Sequence, residues 1–372
     1  MIRFLHSSDL HLGKPFGRFP EDVRVRLRQA RQDSLSRLTA IARENAATHI
    51  LLAGDTFDQT TPAPRVIRHA LNEMGAAQDL TWVLMPGNHD HANATELWRT
   101  VAQDAPDNLK LALEPKPLDL GNRAVLLPAP PPERHPGRDL TQWFDRAETG
   151  DSVRIGLAHG SVTSFGSSED GGSSTIPPDR ATRSGLAYLG LGDWHGQLRV
   201  AAETWYSGAP EADSFKHDGA TAALLVEIRG DGSPVRTKSI PTGTLNWQRA
   251  TLDLSESDDV MARHEALLPT LSARPRTLMD LVVTGRARAS DRASLERAVQ
   301  DISHDFLWHV ANFDDLGMVH DTEDLDVLDH RGALRAAAES LAREAADPNL
   351  PPASRETAQS ALSALFAFAL ET

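Results

Sequence analysis

The sequence predicts an α/β protein: layered β-sheets flanked by helices, followed by a smaller α/β unit and C-terminal helices. Three observations carry this. Short apolar runs alternate with helical patterns over roughly the first two thirds of the chain. Several of those runs are continuous, as in strands buried on both faces, and do not alternate. Nearly every run ends in Asp, His, Asn or Gly, the residue types that place chemistry at the carboxyl ends of strands. At 372 residues the chain exceeds one ordinary core, so two or three domains are expected.

Taken in order, the strand candidates are IRFLHSSD (2–9), HILLAGD (49–55), LTWVLMPGNHD (80–90), RAVLLPAP (123–130), VRIGLAHG (153–160) and AYLGLGDWHG (187–196). Helical spacing occupies 21–44 and 63–76 between them. PAPPPERHPG (128–137) reads as a proline-rich connection, and SFGSSEDGGSSTIPP (164–178) as a Gly/Ser-rich surface loop. After about residue 243 the character changes: WQRATLDL, a helix near 257–272, RTLMDLVVTG, a helix near 290–303 and FLWHVANF suggest a second small α/β domain. An acidic linker, HDTEDLDVLDH (320–330), precedes helical stretches near 331–346 and 353–371. The expected domains are therefore 1–243, 244–320 and 321–372.

Composition narrows the chemistry. The chain has no cysteine, so any transition-metal site must use His, Asp, Glu and Asn. No run approaches the roughly 18 apolar residues of a membrane span. The N-terminus has no basic segment followed by an apolar one, and a cytoplasmic location is expected. A net charge of −14 argues against coating nucleic acid through an overall field, but leaves room for a nuclease whose bound cations offset that charge.

The strand ends supply a ligand-type set: Asp9 and His11 in D-x-H, Asp55 in AGD, Asn88, His89 and Asp90 in GNHD, His159 in AHG, and Asp193 and His195 in GDWH. Any one of them is commonly a loop cap. Five such motifs at successive strand ends point instead to a shared site. Carboxylate, imidazole and amide donors together suit a pair of divalent ions such as Mn²⁺, Mg²⁺, Fe²⁺ or Zn²⁺. Asp55 is the natural bridge between two such ions.

In order along about residues 1–220, HSSDLHLGKPF, LLAGDTFDQTTP, MPGNHDH, AHGSV, YLGLGDWHG and WYSGAPEADSF resemble the calcineurin-like metallophosphoesterases. Within that family they resemble the DNA-repair exonuclease branch, the SbcD-like nuclease subunits. The resemblance implies a layered metallophosphoesterase fold, with 244–320 similar in layout to a capping domain. It also implies a first metal on Asp9, His11, Asp55 and His195, and a second on Asp55, Asn88, His159 and position 193. His89 would act on the transition state or leaving oxygen, with Asp58 orienting it. Asp90 reads as tying its turn. Mn²⁺ is the expected ion and DNA the expected substrate. An SbcC-like coiled-coil ATPase and a second copy of the chain are the partners to test for.

One position departs from the family pattern. G-H-x-H is replaced by Gly192-Asp193-Trp194-His195. An aspartate can ligate, and a third carboxylate would favour harder, oxygen-liking ions such as Mn²⁺ and Mg²⁺. The alternative is that Asp193 only caps the turn. Two further stripes have structural and functional readings. Arg24, Arg28 and Arg31, with Lys14 and Arg18 upstream, form either a solvated helix face or a DNA-backbone contact. Ala358, Ala361, Leu362, Leu365, Phe366 and Ala369 either pack on the chain itself or dock the ATPase partner. The leading function is a metal-dependent DNA exo/endonuclease; the alternatives are a phosphodiesterase of nucleotides or other small diesters, and a non-catalytic scaffold whose metal site has decayed at Asp193.

Overall fold

The computed structural model describes residues 1–163, 175–216, 221–255, 257–319 and 332–371. Most of the Gly/Ser-rich segment 164–178 and the acidic stretch 320–330 lie outside these residues. The chain divides into two compact units, Met1–Asn246 and Trp247–Thr372.

In the first unit, β1 (Ile2–Ser7), β2 (His49–Ala53), β3 (Thr81–Met85), β4 (Leu109–Leu111), β11 (Ala222–Ile228) and β12 (Arg236–Pro241) form one sheet, ordered β12-β11-β1-β2-β3-β4. A second sheet holds β5 (Leu118–Gly121), β6 (Ala124–Ala129), β7 (Val153–His159), β8 (Tyr188–Gly192), β9 (Leu198–Arg199) and β10 (Thr204–Tyr206), ordered β5-β6-β7-β8-β10-β9. β1 to β4 run parallel, as do β6, β7, β8 and β10.

The continuous apolar runs follow from this layering. In β2 the side chains alternate faces: Ile50 and Leu52 join the core shared with the helices, while Leu51 and Ala53 join the core between the sheets. That inner core also takes Phe4, Val83 and Met85 from one sheet and Leu126, Ile155, Leu157 and Tyr188 from the other. The outer core is closed by α2 (Ser34–Glu44), α3 (Pro64–Gly75) and α4 (Thr95–Gln103), through residues such as Leu38, Ala70 and Trp98. The single helix expected over 21–44 is two, because the chain turns at Asp33 between α1 (Glu21–Gln32) and α2. On the far face of the second sheet, Phe144, Ala181 and Leu186 cover Leu127, Leu189 and Leu191, with Ala181 carried by the one-turn α5 (Arg180–Arg183).

The second unit contains a sheet ordered β13-β14-β15, from β13 (Asn246–Leu254), β14 (Thr277–Arg288) and β15 (Trp308–Asn312), with β16 (Leu316–Val319) also pairing with β14. Leu252, Met279, Leu281, Val283 and Leu295 form its core, the last from α7 (Ala289–Ile302). α6 spans only Val260–Leu267 of the expected 257–272, since Pro269 is incompatible with continuing the helix. α8 (Ala333–Ala346) and α9 (Pro352–Glu371) pack together through Ala338 and Leu362, both buried. Ala358 is buried as well, so this part of the C-terminal stripe is already covered; the Phe366 and Ala369 side chains lie outside the described ones. Among the described residues no helix is long and apolar enough to cross a membrane.

Candidate metal centre

The parallel strands β1, β2 and β3 of one sheet and β7 and β8 of the other bring their carboxyl ends to one place. Asp9 and His11 follow β1, Asp55 follows β2, Asn88 and His89 follow β3, His159 ends β7, and Asp193 and His195 follow β8. The first two loops are stitched together by main-chain bonds, Asp9 N to Gly54 O at 3.1 Å and His11 N to Asp55 O at 2.9 Å. Asp9, His11, Asp55 and Asp193 all have positive φ (56°, 43°, 52° and 100°), backbone strain of the kind that concentrates where a site must be held open. Close packing adds a demand for glycine: a Cβ at Gly87 would stand 2.1 Å from Asp55 Oδ1, and one at Gly54 2.3 Å from His159 Nδ1.

Two histidines share one arrangement. His159 Nδ1 is 2.8 Å from the Ala53 carbonyl and His195 Nδ1 3.2 Å from Asp213 Oδ1, and each anchor leaves Nε2 turned inward, the orientation that ligating imidazoles adopt. His11 Nδ1 lies 3.3 Å from Asp58 Oδ1 but makes no hydrogen bond there. His11 Nε2 faces His195 Nε2 at 3.2 Å, and His195 Nε2 is 3.9 Å from Asp9 Oδ1. Asp55 Oδ2 lies 3.6 Å from both His11 Nε2 and His159 Nε2.

The donor set fits divalent ions. Two ligands each about 2.0–2.2 Å from a shared cation lie roughly 3–3.5 Å apart, close to the inward-facing separations found here. Ligand atoms of Asp9, His11 and His195 lie within 4.8 Å of one another, as do those of Asp9, Asp55 and His159. His159 Nε2, 3.6 Å from Asp55 Oδ2, is buried with no hydrogen-bond partner, and so is Asn88 Oδ1. Electrostatics agree. Burial, reinforced by Asp90 and Asp9 and opposed by His159, pushes the Asp55 carboxyl well above its ordinary range. At His159 burial opposes charging, but Asp55, Asp9 and Asp193 outweigh it and raise the imidazole to about 9. The carboxylates around His159 are a local surplus of negative charge that a cation would offset, whereas burial, Arg31 and His195 hold the His11 imidazole well below its ordinary value.

Asp193 stands at the edge of the second group. Its Oδ1 is 3.1 Å from Asn88 Nδ2 and 3.8 Å from His159 Nε2, and its Oδ2 accepts from Ser161 Oγ at 2.9 Å. His89 packs edge-on to His11, with centroids 4.7 Å apart, and its Nδ1 meets the Asp58 main-chain carbonyl at 2.9 Å. Asp58 therefore reaches His89 through its backbone, while its carboxylate faces His11. Asp90 is structural: its carboxylate accepts from Phe57 N and Gly87 N, locking the turn that carries Asn88 and His89.

The basic stripe does not come together as expected. Arg31 is 2% exposed and donates to the carbonyls of Leu10, Asp9 and Glu211, so it belongs to the scaffold beneath the site and cannot face DNA. Arg24 and Arg28 both pair with Glu21, Lys14 pairs with Asp213 at 2.6 Å, and Arg18 lies over the Phe19 and Phe215 rings. Asp213 is a participant that reading the sequence did not single out. It anchors His195 with one oxygen and Lys14 with the other, and these charges with Arg31 hold its carboxyl well below the usual range despite burial. It lies in WYSGAPEADSF, but no local spacing marks it as a partner of a histidine 18 residues away.

Residues 2–183 match the model of the calcineurin-like phosphoesterase family. With the site above, that match over the N-terminal part of the chain is to a metallophosphoesterase, a hydrolase acting on phosphoester bonds. Among curated proteins it is similar to the uncharacterized metallophosphoesterase YhaO of Bacillus subtilis, 24% identical over 73% of this chain and 68% of the relative. It is also similar to a subunit of the nuclease SbcCD of Bacillus subtilis, 24% identical over 60% of this chain and 66% of that protein. A third relative is the DNA double-strand break repair protein Mre11 of Methanosarcina acetivorans, 23% identical over 77% of this chain and 46% of that protein.

Proposed function

We propose that this chain is a divalent-metal-dependent phosphodiesterase that cuts DNA in repair, with Mn²⁺ the preferred ion. The observation that carries the reading is the convergence of His11, His159 and His195 on Asp9 and Asp55 beside His89. Similarity to a nuclease subunit and a break-repair protein supports the choice of DNA.

In this reading Asp9, His11, Asp55 and His195 hold one ion, and Asp55, Asn88, His159 and Asp193 the other. Bound there, the ions supply an activated water and offset the phosphoryl charge. The protein's own groups do the rest. Anchoring on Asp213 and on the Ala53 carbonyl orients His195 and His159 for ligation through Nε2. His89, tethered through Nδ1, presents Nε2 as the carrier of the proton that the departing oxygen takes up. The second unit would serve as the capping domain, and an SbcC-like ATPase would be the partner.

The test is cleavage of single-stranded, double-stranded and hairpin DNA by the full chain with Mn²⁺, beside bis-p-nitrophenyl phosphate. Mn²⁺-dependent DNA cleavage is expected. Hydrolysis of the small diester alone would favour a phosphodiesterase of nucleotides, a reading helped by the pairing of Lys14, Arg24 and Arg28 with acids. Hydrolysis of neither would overturn both.

A further inference from the structure

Asp9 and His195 come from different sheets, since one follows β1 and the other follows β8. Their ligand atoms nevertheless face each other, Asp9 Oδ1 standing 3.9 Å from His195 Nε2. Some contact between the sheets must set that separation, and two fully buried serines lie at the join. Ser8 precedes Asp9, and Ser207 directly follows β10. Ser8 Oγ donates to Asp9 Oδ2 at 2.5 Å and lies 2.9 Å from Ser207 Oγ. A carboxylate is the stronger acceptor, so the single proton of Ser8 belongs to Asp9, and Ser207 is the donor between the hydroxyls. Ser207 is in turn tied to the loop that carries His195. Its carbonyl accepts from Gln197 Nε2 at 3.2 Å, and Ala209 N donates to His195 O at 2.9 Å. Between them Gly208 has φ 74°, and a Cβ there would stand 2.9 Å from His195 O. Small apolar side chains would fill the same space with no polar atoms to satisfy, so packing alone does not call for this pair.

We infer that Ser8 and Ser207 are positioning residues for the first ion: Ser8 occupies Oδ2 of Asp9 and leaves Oδ1 to ligate, while Ser207 keeps that carboxylate aligned with the loop of His195. The inference rests on the two-ion part of the reading above and names what orients the carboxylate, as Asp213 orients the imidazole. The main chain does not make this choice. Asp193 N is 3.3 Å from both oxygens of Asp9 and favours neither, so the distinction between them falls to Ser8. Groups that orient a ligand in this way typically change metal affinity about 10- to 100-fold when removed. The serines touch only the half of the centre built on Asp9 and His195, so their loss should be felt there and not around His159.

The experiment is cadmium NMR of the Cd²⁺-loaded full chain, with Mn²⁺ titration by calorimetry, on the wild type, Ser8→Ala and Ser207→Ala. Two cadmium resonances are expected for the wild type, each assigned to its half of the centre by its loss in His195→Gln or in His159→Gln. Ser8→Ala should shift or abolish the resonance that depends on His195 and leave the other in place, with one Mn²⁺ site weakened about 10- to 100-fold. Ser207→Ala, acting through Ser8, should weaken the same site by less. Denaturant unfolding of the metal-free variants checks that each is folded; should Ser8→Ala not fold, Ser207→Ala decides. Wild-type resonances and Mn²⁺ affinities in the folded serine variants would overturn the inference while leaving the metal centre standing. An equal loss at both halves would also overturn it, because it would make the serines general supports of the fold. A wild type that binds neither Cd²⁺ nor Mn²⁺ would overturn the metal-centre reading itself, and the inference with it.

Discussion

Asp55 Oδ2 stands 3.6 Å from His159 Nε2, while the other oxygen of that carboxylate accepts from the main-chain N–H of His89 at 2.8 Å. The carboxylate is thus pinned on one side and open on the other, where His11 Nε2 is equally near at 3.6 Å. Asp55→Ala should therefore disturb both halves of the centre. Elemental analysis of the purified variant is expected to show both ions lost or scrambled. Two ions per chain at wild-type affinity would refute a bridging role.

In the proposed reading His89 acts in the chemistry and not as a metal ligand. Its ring packs edge-on to His11, and its Nδ1 is tethered to the Asp58 carbonyl. His89→Ala should lower turnover by about 10²–10⁴, the range for a lost general acid, with metal content intact. Turnover on a diester with a very acidic leaving group should suffer less, because that oxygen needs no proton. Loss of the metals along with activity would show His89 to be part of their support.

Arg31 gives a prediction about stability. Its guanidinium donates to Leu10 O at 2.7 Å and to Glu211 O and Asp9 O at 2.8 Å, all within the protein. Arg31→Ala strips three buried carbonyls of their donor and should cost about 3–5 kcal/mol. Arg24→Ala, on the exposed side of the same helix, should change stability by less than about 1 kcal/mol. Denaturant unfolding of both variants tests the contrast.

These residues show what the sequence made legible. Asp9, His11, Asp55, Asn88, His159 and His195 could be read because each follows a strand-like apolar run, and parallel strands converge at their carboxyl ends. What could not be read depends on contacts distant in sequence. Asp213 meets His195 from another loop, and Glu211 accepts from Arg37, Thr244 and Leu245 across the unit. Arg31 shows the cost of spacing arguments: Arg24, Arg28 and Arg31 repeat at helical intervals, yet only a tertiary environment decides that Arg31 turns inward while the other two meet Glu21. Likewise the runs predicted strands but not their division into two sheets, which alternation within β2 and its neighbours sets.

Acid should loosen the second unit. His264 and His309 stack with centroids 6.5 Å apart, and burial lowers both imidazoles. His264 and then Arg274 act further on His309, which falls from 6.5 to about 4. Above pH 6.5 neither state binds the proton and these groups contribute no pH dependence. Between pH 6.5 and about 4 the unfolded chain takes up a proton that folded His309 refuses, so stability falls as the pH drops. The slope from one fully protected histidine is about 1.4 kcal/mol per pH unit, and solvent screening at half-buried His309 reduces it. Because His6 and His49, lowered to about 3 and about 4, act in the same direction, the informative quantity is the difference between wild type and His309→Gln. Thermal melting from pH 7.5 to 4.5 should show a shallower fall in Tm for the variant. Parallel curves would assign the acid sensitivity elsewhere.

Asp193, the position that departs from the G-H-x-H pattern of the resemblance, sets the last prediction. Ser161 holds its Oδ2, and Oδ1 points between Asn88 and His159, so one oxygen is committed to orientation and the other is aimed at the second half of the centre. Three variants separate ligation from turn geometry. Asp193→Asn keeps the shape and tolerance for positive φ but removes the charge; it should weaken the second ion while sparing the first. Asp193→Ala adds backbone strain at φ 100° and removes the donor entirely, so it should weaken that ion further. Asp193→His replaces a carboxylate with an imidazole. It should retain two ions but shift preference from Mn²⁺ toward Zn²⁺, the softer donor favouring the softer ion. With one negative charge fewer, it should also bind an anionic diester more tightly. Metal titrations by calorimetry, followed by kinetics on bis-p-nitrophenyl phosphate, read all three. Wild-type second-site affinity in both Asp193→Asn and Asp193→Ala would make Asp193 a turn residue, and the second ion would then rest on Asp55, Asn88 and His159 alone.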